Sequence, residues 1–134
     1  MKINIVQIVL ILFFVIAQCS QGEPMKKTIM RDLDGVLAEY THYTNEIPPI
    51  KKGTKEFVAK LSKEFELILF TTRSAKEATK WLIDNKIDKY FKDVTNVKFP
   101  AYIYLDDRSI KFNGDYEKAL DEIKNFQVYW KNIN

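Results

Sequence analysis

Two short acidic motifs contain the residues of this chain that are best suited to chemistry. Asp32 and Asp34 are separated by one leucine and followed by Gly35, while Asp106 and Asp107 are adjacent. Carboxylate oxygens are preferred ligands of hard divalent cations, and a carboxylate can also attack phosphorus or transfer a proton. An Asp-x-Asp-Gly motif alone is equally typical of a turn, since aspartate and glycine are both turn formers. The function therefore depends on whether the fold brings the two motifs together.

Short apolar runs precede both motifs. Residues 28–30, 67–70 and 101–105 are predicted to be strands, and residues 94–97 form a weaker candidate. These runs have little polar alternation, which is typical of parallel strands covered on both faces. Each strong run ends in polar residues: Asp32 with Asp34, Thr71 with Thr72 and Arg73, and Asp106 with Asp107.

Three helices are predicted between or after these strands, at about 53–65, 74–85 and 115–126. The second begins with the capping box Ser74-Ala75-Lys76-Glu77, in which the serine and glutamate satisfy free N–H groups of the first turn. Residues 127–130 are either a final edge strand or a helix end. The apolar residues expected to face the core are Phe57, Val58, Leu61, Phe65, Ala78, Trp81, Leu82, Leu120, Ile123 and Phe126.

Strands that alternate with helices predict an α/β fold with a central parallel sheet. Because right-handed crossovers bring the carboxyl ends of parallel strands to one edge, the polar residues after the strands should converge there. Four carboxylates at one edge would repel each other by roughly 4 kcal/mol per pair at about 4 Å and an effective dielectric near 20. Such a cluster requires a cation, and all-oxygen ligands favour Mg²⁺.

Three segments in this order resemble the signature motifs of the haloacid dehalogenase superfamily. They are DLDGVL at 32–37, LILFTTR at 67–73 and KFPAYIYLDDR at 98–108. The resemblance covers nearly all of residues 25–134 and is strongest to small, cap-less hydrolases of phage and bacterial type. It implies a three-layer Rossmann-like fold without a cap domain, because the interval from Leu37 to Thr71 has no room for one.

The resemblance also implies catalytic roles. Asp32 matches the nucleophile that forms an aspartyl-phosphate, and Asp34 matches the general acid and base. Thr71 matches the hydroxyl that binds the phosphate, with Thr72 as the alternative if the strand ends one residue later. Lys98 matches the lysine that steadies the nucleophile and the phosphate.

The same resemblance implies a Mg²⁺ site. Asp107 matches the direct ligand, Asp106 lies beside it as a ligand or as its support, and Asp32 contributes its carboxylate. Asp34 matches the position that contributes a backbone oxygen. Arg31 departs from the family pattern, in which the residue before the nucleophile is usually apolar or small.

The expected function is Mg²⁺-dependent hydrolysis of phosphomonoesters. The substrate would be a phosphorylated small molecule or a phosphorylated nucleic-acid end, and no stable complex with nucleic acid is expected. The sequence is compatible with an oligomer. Discrimination beyond the phosphate would come from the loop at 39–49, including Tyr40 and Tyr43, and from Arg73 and Arg108. Two alternatives are a non-catalytic exported binding module on the same fold and a phosphoryl-accepting signalling domain; the order of the acidic residues argues against the second.

Residues 1–24 are predicted to be separate from the domain at 25–134. A mostly apolar run from Ile3 to Ala17 follows Lys2, and small and polar residues come next, which is the pattern of a signal peptide. As a helix the run would extend about 22 Å, less than the ~30 Å hydrocarbon core, so no permanent membrane span is expected. The segment is a cleaved export signal, or a lipoprotein signal ending at Cys19, or it precedes a true start at Met25 of a cytoplasmic protein.

The composition sets the remaining bounds. The chain has 134 residues, 46% of them hydrophobic and 29% charged, which indicates one folded domain rather than a disordered chain. The net charge of +3 neither requires nor excludes an anionic partner. The single cysteine excludes an internal disulfide, and the single histidine, His42, has no zinc-ligand spacing around it.

Overall fold

The computed structural model describes residues 24–132. The predicted signal segment at residues 1–24 lies, except for residue 24, outside this range. Four strands and three helices follow one another along the described chain: β1 (Lys27–Arg31), α1 (Thr54–Glu64), β2 (Phe65–Phe70), α2 (Ala75–Asp84), β3 (Phe91–Thr95), β4 (Ile103–Leu105) and α3 (Tyr116–Lys124). Short 3₁₀ turns lie at Asp88–Tyr90 and Tyr129–Asn132. Within residues 24–132, no helix is both long and apolar enough to cross a bilayer.

The four strands form one parallel sheet in the order β3-β2-β1-β4. β1 is therefore central, between β2 and β4, and β4 is an edge strand of three residues. Flanking helices complete the three-layer Rossmann-like arrangement that the sequence predicts. The carboxyl ends of all four strands lie on one edge of the sheet, because all of the pairings are parallel.

The main hydrophobic core joins the sheet to α1 and α2. Ile29, Leu67 and Leu69 of the sheet belong to the same buried cluster as Val58 of α1 and Leu82 of α2. The sheet residues that alternate with them, Met30 and Ile68, are buried as well. The sheet is thus covered on both faces at its centre, as continuous apolar strands require.

Several strand and helix boundaries differ from the predictions. β3 begins at Phe91 rather than Val94, and β4 begins at Ile103 rather than Ala101. Phe65 opens β2 instead of ending the preceding helix. Of the two alternatives for residues 127–130, an edge strand or a helix end, the structure shows no strand but a 3₁₀ turn at Tyr129–Asn132. The capping box is confirmed in part: the Ser74 hydroxyl accepts a hydrogen bond from the Glu77 backbone N–H, as predicted, whereas the Glu77 carboxylate accepts from the Ser74 hydroxyl.

The prediction for the inner face of the last helix is wrong. Leu120, Ile123 and Phe126 are 45%, 61% and 39% exposed. Helical spacing of apolar residues identifies an amphipathic helix, but it does not show whether another element covers the apolar face. The described part of the chain buries no residue of α3.

Phe57 was also expected in the core but is 43% exposed. Its ring lies 5.2 Å from the guanidinium carbon of Arg31, and the Phe91 ring lies 5.2 Å from the same atom on another side. Arg31 is fully buried, and its three guanidinium nitrogens have no hydrogen-bond partner within residues 24–132. Burial lowers the pKa of Arg31 to about 10. Arg31 is therefore a buried cation in contact with two aromatic rings, at a position where the motif that the sequence resembles has an apolar or small residue.

Candidate active site at the carboxyl edge of the sheet

The central strand and the edge strand position three of the predicted carboxylates. Asp32 follows β1, and its backbone N–H donates to the carbonyl of Leu105, the last residue of β4, at 2.9 Å. Asp106 and Asp107 come directly after that residue. Oxygen atoms of Asp32, Asp106 and Asp107 lie within 4.8 Å of one another, and all three residues are half-buried. The structure therefore brings together the two acidic motifs, as the sequence predicts.

A tight turn follows Asp32. The Leu33 carbonyl accepts hydrogen bonds from the backbone N–H groups of Leu37 and Ala38, both at 2.9 Å. Gly35 within this turn has a φ of +80°, and a Cβ at this position would lie 2.5 Å from Oδ2 of Asp107. The glycine of the motif is therefore required both by the backbone conformation and by the close approach of Asp107.

Asp107 and Asp106 are held differently. Oδ2 of Asp107 accepts a hydrogen bond from the indole N–H of Trp130 at 2.5 Å. Oδ1 of Asp107 is buried and has no hydrogen-bond partner within residues 24–132. Oδ1 of Asp106 accepts from the backbone N–H of Arg108 at 2.7 Å. An unpartnered buried carboxylate oxygen is costly unless a donor or a cation reaches it.

The pKa of Asp32 reflects its burial and the negative charges around it. Burial, followed by the neighbouring carboxylates of Asp106, Asp107 and Asp34, raises the pKa of Asp32 to about 7, although a hydrogen bond from the Leu33 backbone N–H partly opposes the shift. Without a cation, the Asp32 carboxyl is therefore divided between its protonated and ionised forms at neutral pH. A positive charge beside the three carboxylates would favour the ionised form.

Asp34 is the predicted site residue whose setting differs most from expectation. Its carboxylate lies outside the three-carboxylate cluster and is paired with Arg73, which is almost fully buried. Nε of Arg73 lies 2.9 Å from Oδ2, and Nη2 lies 2.8 Å from Oδ1. Nη1 also donates to the carbonyl of Thr44, at 2.5 Å. Arg73 is therefore committed to Asp34 and to the 39–49 loop, rather than being free to contact a substrate.

A cavity of about 420 Å³ opens beside the cluster. Thr71 and Thr72 both line it, and Thr71 is buried, with its hydroxyl accepting a hydrogen bond from the Arg73 backbone N–H at 3.2 Å. The lining residues come from every strand end and from the 39–49 loop: Asp32, Asp34, Tyr40, Tyr43, Phe70, Thr71, Thr72, Asn96, Asp106 and Arg108.

The structure does not bring Lys98 to this cavity. Lys98 is exposed, and its ammonium lies 4.3 Å from the centre of the Tyr104 ring. Asn96, two residues earlier, lines the cavity instead. The backbone path of residues 96–102 determines which side chain reaches the cavity. This segment is irregular, so no hydrophobic periodicity in the sequence indicates that path.

An aromatic group lies at the rim of the cavity. The rings of Tyr40 and Trp130 meet edge to face with centroids 5.0 Å apart. The Arg108 guanidinium lies 5.1 Å from the Tyr40 ring and 5.5 Å from the Trp130 ring. Trp130 and the pairing role of Arg73 were missed by the sequence analysis. An Arg directly after a strand-end Thr-Thr was the available signal for Arg73, whereas nothing in the 127–130 pattern pointed to the site.

Comparisons with known proteins support the fold. No family model and no curated protein matches this chain. Among solved structures, the chain is similar to a conserved protein from Bacteroides thetaiotaomicron, with 22% identity and a TM-score of 0.51. The match covers 78% of this chain and 94% of that one. At this identity, the likeness shows a shared fold and nothing about activity.

Proposed function

We propose that this chain is a magnesium-dependent phosphomonoester hydrolase with Asp32 as its nucleophile. The observation that carries the proposal is that carboxylate oxygens of Asp32, Asp106 and Asp107 lie within 4.8 Å of one another. This cluster lies beside a cavity that Thr71 also lines. The resemblance of the three motifs to the haloacid dehalogenase superfamily supports the same assignment, because the three carboxylates that converge belong to the first and third of those motifs.

The donor set of the cluster fits Mg²⁺. All three side chains offer oxygen, the chain has one histidine and one cysteine, and Oδ1 of Asp107 is a buried oxygen that has no other partner in the described residues. Asp32, Asp106 and Asp107 would hold the ion, with a backbone oxygen from Asp34 as the resemblance implies. When bound, Mg²⁺ would neutralise the carboxylates and withdraw charge from the phosphoryl oxygens.

The remaining steps belong to the side chains of the chain. A carboxylate oxygen of Asp32 attacks phosphorus, and the bond from phosphorus to the alcohol oxygen breaks, which leaves an aspartyl-phosphate. Asp34 gives its proton to the departing alcohol oxygen. Water then attacks the same phosphorus, gives a proton back to Asp34, and releases inorganic phosphate with the Asp32 carboxylate restored. In this mechanism the hydroxyl of Thr71, a residue that lines the cavity, donates to a phosphoryl oxygen.

The Asp34–Arg73 pair favours one competing function. Both carboxylate oxygens of Asp34 accept hydrogen bonds from Arg73, so one of these must open before Asp34 can carry a proton. If the pair stays closed, the site would bind a phosphorylated ligand without turning it over. A non-catalytic binding module is therefore the second candidate function.

Phosphate release from p-nitrophenyl phosphate, with Mg²⁺ and with excess EDTA, separates the candidates. Steady Mg²⁺-dependent release supports a hydrolase. A single stable phosphorylation supports a signalling domain, and Mg²⁺ binding without release supports a binding module. Asp32→Asn should reduce turnover at least about a hundredfold, because the amide is not a nucleophile. Asp84→Asn is the matched control, since Asp84 is exposed on α2 and, within residues 24–132, is paired only with Lys80.

The form of the cavity indicates the class of substrate. No cap is inserted between β1 and β2, where the described chain has only a loop and α1. Tyr40 and Tyr43 line the cavity, and Tyr43 is 66% exposed, so the site accepts a substrate that extends beyond its edge. We propose modest activity on many small phosphomonoesters and on phosphorylated nucleic-acid ends. A preference above about a thousandfold for one small metabolite would contradict this, because it needs roughly 4 kcal/mol of discrimination.

A further inference from the structure

Trp130 contacts the candidate metal cluster from the 3₁₀ turn at Tyr129–Asn132. Its indole N–H donates to Oδ2 of Asp107, at 2.5 Å. Its ring packs against Tyr40 and under the guanidinium of Arg108. This turn lies far along the chain from Asp32, yet one of its side chains makes a direct hydrogen bond to a carboxylate of the cluster.

The two oxygens of Asp107 consequently have different environments. Oδ2 is bonded to Trp130 and would be 2.5 Å from a Cβ at Gly35. Oδ1 is buried without a hydrogen-bond partner in residues 24–132. Oδ2 thus has a hydrogen-bond donor from the protein, whereas Oδ1 has none within the described residues.

The same 3₁₀ turn also contacts the first acidic motif. The Tyr129 hydroxyl donates a short hydrogen bond to the carbonyl of Gly35, in the turn that follows Asp32. Lys51 donates to the same hydroxyl, at 2.6 Å. The adjacent aromatic residues therefore each donate a hydrogen bond to one acidic motif: Tyr129 to the carbonyl of Gly35, and Trp130 to the carboxylate of Asp107.

We propose that Trp130 is a positioning residue of the cation site, which holds Oδ2 of Asp107 so that Oδ1 is presented to the metal. This inference rests on the proposed Mg²⁺ site. A hydrogen bond from the protein to a side chain that ligates a metal fixes the orientation of that side chain. Removing the hydrogen-bonding partner typically weakens metal affinity about 10–100-fold. The indole acts through Asp107 and needs no contact with the substrate.

The chain supplies its own matched control, since it has only two tryptophans. The indole N–H of Trp81 donates to the carbonyl of Pro48, at 2.9 Å, away from the carboxylate cluster. Trp130→Phe and Trp81→Phe therefore make the same chemical change, each removing one indole N–H bond. Calorimetric titration of the EDTA-treated, dialysed full chain with Mg²⁺ should show about 10–100-fold weaker binding in Trp130→Phe. Binding in Trp81→Phe should stay close to that of the wild type.

Fluorescence gives a second readout that a merely structural role would not change. In Trp81→Phe the only indole is Trp130, and its emission should shift on Mg²⁺ addition with the midpoint found by calorimetry. In Trp130→Phe the remaining Trp81 emission should stay constant. Phosphate release by Trp130→Phe should recover toward the wild-type rate as Mg²⁺ is raised.

The outcomes separate this inference from the proposed function. If the wild type binds Mg²⁺ and Trp130→Phe binds it equally well, the positioning role is overturned while the metal site stands. If the wild type binds no Mg²⁺, the metal site and this inference are both overturned. If Trp130→Phe does not fold, the Trp81→Phe protein still tests the inference. Trp130 emission that stays constant while Mg²⁺ binds to Trp81→Phe would overturn the positioning role and leave the metal site standing.

Discussion

Arg73 holds both carboxylate oxygens of Asp34 in a forked pair, through contacts of 2.9 and 2.8 Å. The same guanidinium donates to the Thr44 carbonyl, so one side chain joins the first acidic motif to the 39–49 loop. Planar, two-point recognition of a carboxylate is the geometry for which arginine is suited and lysine is not. The pair therefore sets both the orientation of Asp34 and the position of the loop at the rim of the cavity.

A double-mutant cycle tests this pair. Arg73→Met leaves the carboxylate of Asp34 without its partner, and we expect a loss of about 3 kcal/mol in the free energy of unfolding. Adding Asp34→Asn should recover part of that loss, with a coupling energy above about 1 kcal/mol. Urea denaturation in EDTA at neutral pH measures all four proteins. Strictly additive losses would show that the contact contributes nothing of its own.

The raised pKa of Asp32 predicts a pH-dependent stability. Its pKa is about 7 in the folded protein and about 3.9 in an unfolded chain, so the folded state retains the proton more strongly. This contribution is fully present below about pH 4 and is lost as the pH rises to about 7. Asp32→Asn should therefore be more stable than the wild type at pH 8, by at most about 4 kcal/mol and less because of solvent screening.

The measurement is thermal or urea unfolding in EDTA at pH 4 and pH 8. Subtracting the wild-type value from that of Asp32→Asn isolates Asp32 from the other titrating groups. Asp84→Asn, in the exposed α2 pair, should show no such pH-dependent difference. A gain for Asp32→Asn that is the same at both pH values would contradict the assignment.

Arg31 predicts a stabilising substitution. Its buried guanidinium has the two aromatic rings but no hydrogen-bond acceptor in the described structure, so Arg31→Met should remove a desolvation cost while filling much of the same space. We expect a gain of about 1–2 kcal/mol in unfolding free energy. Arg108→Met is the comparison, because that guanidinium also lies over two rings but is exposed. A loss exceeding about 1 kcal/mol for Arg31→Met would show that the ring contacts outweigh desolvation.

The position of Lys98 predicts the outcome of one activity measurement. Its ammonium rests on Tyr104 at the surface, so Lys98→Met should change kcat/KM for p-nitrophenyl phosphate by less than about threefold. Removal of a group that stabilises the transition state directly typically costs about 10²–10³-fold. A loss of that size would mean that Lys98 leaves Tyr104 and reaches the phosphate when the substrate binds.

The sequence predicted the fold well because the relevant signals are local. Continuous apolar runs that stop at Asp32, Thr71 and Asp106 mark strand ends, and parallel pairing then brings these ends to one edge without further information. Ser74 and Glu77 likewise define a helix start within four residues. These parts depend on neighbouring residues and on the geometry of the sheet.

The parts that were missed depend on non-local packing. The spacing of Leu120 and Ile123 shows an apolar stripe but not its partner, and Lys98 depends on the path of an irregular segment. The Asp34–Arg73 pair joins residues 39 positions apart through a fork whose geometry only the folded chain determines. Trp130 is the extreme case, since its contact with Asp107 requires the final turn to fold back over the site.

The edge position of β4 has a consequence for local opening. Its three residues are all more than one-third exposed, and in the described part of the chain this strand pairs with β1 alone. Short, exposed edge segments open with a smaller free energy than the central strands of a sheet. Because Asp106 and Asp107 follow β4 directly, each opening event would also separate them from Asp32. A divalent ion bound to carboxylates that follow both strands would stabilise their pairing. The backbone amides of residues 103–107 would then exchange their hydrogens with solvent more slowly than in the metal-free protein.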